Sequence, residues 1–97
     1  MCTYITETAA MSGSGKGTQG WFSLTSANVY YDHPFHAPFE HSLNIDFVNE
    51  NMGPSFRVAV ELSAESARAL VRAIEAALES GAAEHGLTIP LGMGVPA

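Results

Sequence analysis

His41-Ser42-Leu43-Asn44-Ile45-Asp46-Phe47-Val48 sets His41, Leu43, Ile45 and Phe47 against Ser42, Asn44 and Asp46 with period two. That alternation builds a strand with one face turned to a core and the other to water. After a turn at residues 49–54, which contains Gly53, the alternation resumes: Phe56, Val58, Val60 and Leu62 against Arg57, Ala59 and Glu61. Alternating runs across a short turn predict an antiparallel hairpin, with strands over 41–48 and 55–62. Folding it places Asp46 roughly opposite Arg57, a mildly stabilising pair that needs no functional explanation.

Downstream, Ser63 is a good N-cap and Glu65 lies in the first turn, near the positive end of the helix dipole. Ala67, Leu70, Val71, Ile74, Ala77 and Leu78 follow at helical spacing, and Gly81 supplies a stop, so a helix is expected over 64–80. Its apolar stripe is expected to cover the Leu43/Ile45/Phe47 face of the sheet. Upstream, residues 2–10 are rich in β-branched and aromatic types, and residues 21–31 again read as strand. Residues 12–20 between them hold four glycines and read as a flexible loop. Residues 86–97 alternate Leu87, Ile89, Leu91, Met93 and Val95, an apolar arm that would serve as a last edge strand or lie on a second subunit. Pro90 works against a regular strand there. The expected fold is α+β: one domain over 1–97, an antiparallel sheet of about four strands, one covering helix and a C-terminal arm. A homodimer is expected, because the uncovered face and the arm need partners.

Composition narrows the function. The chain has 97 residues, 46% of them apolar, enough for one core. Its formal charge is −6, with no basic footprint for a nucleic acid and no attraction to anionic membrane surfaces. No run reaches the length of a membrane-spanning helix, and Met1-Cys2-Thr3-Tyr4 lacks the basic and apolar regions of a secretory signal. One cysteine excludes an internal disulfide. A soluble cytoplasmic protein is expected.

The chemistry-bearing residues concentrate in Asp32-His33-Pro34-Phe35-His36-Ala37-Pro38-Phe39-Glu40-His41, which holds three of the four histidines. Metal sites often take two histidines from a short segment and a third from a neighbouring strand. The two prolines fix φ and lower the entropy cost of presenting ligands. His33, His36 and His41 are therefore candidate ligands for a divalent transition metal: zinc, iron, copper or nickel. Asp32 and Glu40 are candidates for a further ligand or proton carrier. The same residues also suit a metal-free site with histidine as general base, or a structural connection whose aromatics plug the end of the core. Cys2 is a second candidate nucleophile or soft ligand. Asn44, Asp46, Arg57 and Glu61 form a polar set on the sheet face opposite the helix. That set is either a solvated face or a polar pocket with Asp46 or Glu61 as base and Arg57 binding an anion.

Gly13-Ser14-Gly15-Lys16-Gly17-Thr18-Gln19 looks like the phosphate loop of adenylate kinases, but Ala10 stands where the motif needs a glycine. The motif also requires a following helix, and residues 21–31 read as β, so no nucleotide is expected.

Met1-Cys2-Thr3-Tyr4-Ile5-Thr6-Glu7, Asp32-His33-Pro34 and His41-Ser42-Leu43-Asn44-Ile45-Asp46-Phe47 together resemble a family of small actinobacterial proteins, a domain of unknown function. The resemblance covers most of residues 1–80 and brings no activity and no catalytic residue with it. It implies a bacterial cytoplasmic setting, and many such small proteins accompany specialised metabolism. The leading expectation from the residues is a small metal-dependent enzyme acting on a small molecule. Its rivals are a non-catalytic dimeric binding or assembly module and a metal-free acid–base enzyme.

Overall fold

A computed structural model describes residues 6–85. In chain order it has β1 (Glu7–Gly17), β2 (Gly20–Asp32), β3 (Ser42–Val48), β4 (Arg57–Leu62) and α1 (Ala64–His85). The strands form one antiparallel sheet in the order β1-β2-β3-β4. The fold class is α+β, as the two alternating runs and the amphipathic segment after them predict. The chain divides after Ala64 into two compact units, with the sheet in the first and the helix in the second. Among the described residues no helix is long and apolar enough to cross a membrane.

The Gly-rich stretch is strand, not loop. β1 pairs with β2 through Gly13↔Leu24, Ser14↔Ser23, Gly15↔Phe22 and Lys16↔Trp21, so the turn shrinks to Thr18 and Gln19. Composition misleads here because glycine serves a packing need. A Cβ at Gly17 would sit 3.2 Å from Phe22 Cε1 and 3.4 Å from the Arg57 carbonyl oxygen. Without one, the end of β1 curls in toward β4. Gly20 closes the turn at φ 96°, a conformation L side chains rarely adopt. The register shifts between Ala10 and Gly13, where β1 carries an extra residue. The first strand, expected over 2–10, thus runs later in the chain, and residues 1–5 lie outside the described residues. The segment after the glycines is β2, whereas a phosphate loop opens a helix.

Helix α1 also runs further than expected. Ser63 precedes it and Glu65 occupies its first turn, but the chain passes through Gly81 to His85. One glycine costs a helix only about 1 kcal/mol against alanine. The strong formers Ala82, Ala83 and Glu84 follow it, and Gly81 does not take a positive φ.

The ladder fixes which side chains share a face. Ala27, Phe47 and Val58 form one cross-strand row, and Val29, Ile45 and Val60 the next, on the apolar face. Tyr30, Asn44 and Glu61 form a row on the other face, beside Asn28, Asp46 and Ala59. Phe22 and Ala27 are buried, and the Phe22 ring meets Phe56 edge to face at 5.7 Å. The polar face has buried groups of its own: Ser42 is fully enclosed and donates from its hydroxyl to Asn44 Oδ1 at 2.5 Å.

Candidate functional site

The site grows out of the connection between β2 and β3. Pro34 and Pro38 have no N–H, so the chain between them offers three backbone donors: Phe35, His36 and Ala37. All three donate to one side chain. Phe35 N–H reaches Glu61 Oε2 at 2.6 Å, while His36 and Ala37 N–H reach Oε1 at 3.0 and 2.8 Å. Successive amides converging on one anion form a nest, here filled by a carboxylate from β4. The strand register puts Glu61 on the polar face at the end where this connection crosses. The Ala37 and Phe35 amides hold the Glu61 carboxyl below its ordinary pKa. The His36 amide and the charge of its imidazole add to this, and partial burial opposes it. A carboxylate held in that way is a weak base. Those three hydrogen bonds make Glu61 the anchor of the connection.

Beside it, Arg57 Nε and Nη2 both reach Asp46 Oδ1 at 2.9 Å. Asp46 stands across from Ala59 and Arg57 across from Val48, so the pair is diagonal rather than directly opposed. The Tyr30 hydroxyl donates to Asp46 Oδ2 at 3.3 Å. Burial raises the Tyr30 pKa, the Asp46 charge and hydrogen bond raise it further, and Arg57 opposes them. The guanidinium that sequence reading offered to an anion is thus already engaged by Asp46.

Arg57 and Glu61 border a cavity of about 570 Å³, lined also by Phe35, His36, Ala37 and Ala59. Its size falls in the range of small-molecule sites. Phe35, one of these residues, is 91% exposed.

The expected ligand triad is divided. His33 and His41 stack at 4.7 Å, and His41 stacks on Tyr31 at 5.8 Å. His36 instead lines the cavity with Arg57 and Glu61. His33 Nδ1 lies 3.0 Å from the Glu40 carbonyl oxygen. A carbonyl only accepts, so Nδ1 carries the proton and a neutral ring keeps Nε2 as its acceptor. Asp32 Oδ1 accepts the His33 backbone N–H at 2.7 Å. Asp32 and Glu40 thus both act on His33, one through its carboxylate and the other through its main chain. Cys2 lies outside the described residues, as does the arm at 86–97. Among the described residues no group of three or more His, Cys, Asp and Glu side chains is arranged to hold a metal ion.

Sequence reading picked out both the histidine window and the polar strand face but treated them as separate. Their junction at Glu61 was missed. Its one signal was the pair of prolines, which leaves three adjacent amides without a local acceptor.

No curated protein and no solved structure matches this chain. A family model does match it, over residues 1–88, slightly further than the resemblance read from the sequence. The chain belongs to a family of unknown function (DUF6295).

Proposed function

We propose that this protein is a non-catalytic binding module for a small molecule, and that the cavity between the residue 33–41 connection and the polar sheet face is its site. One observation carries the reading: every amide between Pro34 and Pro38 is tied to Glu61, which sets the cavity wall in place before any ligand arrives. Preorganisation of that kind lowers the entropy cost of binding. The ionisable groups support binding over chemistry. Glu61 accepts three amides, and Asp46 takes both Arg57 and Tyr30. Screening a fragment set by amide chemical-shift mapping tests the reading. Hits should perturb residues 35–37 and 57–61 together. Hits that perturb only other residues, or none at all, refute it.

A second reading keeps the metal but moves it to His33 and His41. Its support is the Nδ1 contact to the Glu40 carbonyl, the arrangement that commonly orients a metal-binding imidazole through Nε2. Elemental analysis of the parent beside a His33→Ala/His41→Ala variant decides it. Near-stoichiometric metal in the parent and none in the folded variant supports the metal-dependent enzyme. Equal metal in both removes it.

A further inference from the structure

The charges at the cavity point to a ligand class. Asp46 compensates the Arg57 guanidinium through two contacts to the same oxygen, Oδ1. Glu61, on the wall, has no comparable cation among the described residues: its partners there are backbone amides and the nearby His36 imidazole. One guanidinium against two carboxylates leaves the site with one negative charge when His36 is neutral. An anionic ligand would meet that charge and would have to draw Arg57 away from Asp46.

The remaining hydrogen-bonding capacity agrees. A carboxylate offers about four lone-pair sites, two on each oxygen. Glu61 Oε1 accepts two amides and Oε2 accepts one, which leaves one site on Oε2. The residue that donates to Oε2 is Phe35, which borders the same cavity and is 91% exposed. An acceptor oxygen and an exposed aromatic residue therefore border one cavity. An aromatic face attracts cations through its quadrupole.

We propose that the cavity takes a small planar cation of the amidinium or guanidinium class, donating an N–H to Glu61 Oε2 and lying against the Phe35 ring. This rests on the binding-module reading above and specifies its ligand.

The test uses two probes of one shape and opposite charge, benzamidine and benzoate, titrated into the full chain with amide shifts as the readout. Benzamidine should give saturable shifts at residues 35–37 and 57–61 that weaken with added salt, while benzoate leaves those amides unmoved. Phe35→Leu, a change at an exposed side chain, should weaken benzamidine about threefold to fivefold, the size of an exposed cation–π contact. Benzoate binding at these amides with benzamidine silent overturns the cation class and leaves the cavity standing as a site. If neither probe moves them, the proposal falls, and the fragment screen then decides separately whether the cavity binds anything. Unchanged benzamidine affinity in Phe35→Leu overturns the stacked pose.

Discussion

Glu61 holds the 33–41 connection through its charge as well as its shape, so its protonation has a definite sign. Its folded-state pKa is depressed below the ordinary value of 4.5. The anchor's contribution is therefore complete above the ordinary carboxylate pKa and is lost as pH falls through the depressed value. Denaturant unfolding from neutral to acid pH should show an acid-side loss in the parent that Glu61→Gln lacks. In that variant, hydrogen exchange at the 35–37 amides should be faster even at neutral pH. Ser26 presents the opposite case, a polar group without a partner. Its hydroxyl is buried and makes no hydrogen bond among the described residues. Removing an unsatisfied buried hydroxyl relieves a desolvation cost, so Ser26→Ala should stabilise the protein by about 1 kcal/mol, read by urea denaturation.

At the level of elements, glycine plays different parts in β1 and α1. Gly17→Ala would press a methyl on the Phe22 ring and the Arg57 carbonyl, at 3.2 and 3.4 Å. We expect it to cost about 1 kcal/mol, because both neighbours belong to the curl that brings β1 toward β4. In the helix, a Cβ at Gly81 meets nothing within 4 Å. Gly81→Ala should therefore gain about 1 kcal/mol through helix propensity alone, visible as a higher thermal midpoint. The two glycines differ in the element that holds them and in what stands beside them. β3, β4 and the body of α1 were legible because their periodicities are local: two residues per repeat in a strand, 3.6 in a helix. β1 was misplaced because small residues have weak strand propensity and this strand is defined by its pairing with β2.

For the whole molecule, two consequences follow from size. Among the described residues of the sheet unit the buried apolar side chains are few, and Phe22 is the largest of them. Phe22→Ala removes its edge-to-face contact with Phe56 and should cost about 3 kcal/mol, measured by the shift in denaturation midpoint. The homodimer proposed from the sequence would draw on the apolar residues of 86–97. Deleting those residues should change the oligomeric state in sedimentation, while substituting the histidines should leave it unchanged.

The sequence by itself determined the strand hairpin of β3 and β4, the helix that follows and the segment where polar chemistry gathers. Each is a matter of neighbours in the chain, where side-chain alternation and backbone preference act directly. Only the tertiary structure decided that the Gly-rich stretch is a strand and that His36 parts from His33 and His41. It also paired the loop amides with a carboxylate 24 to 26 positions away. The physical reason is that a proline-bounded connection fixes φ at two points but leaves its direction open. That direction is set when Glu61, carried by a strand whose register depends on the whole sheet, accepts the three amides that the prolines leave exposed.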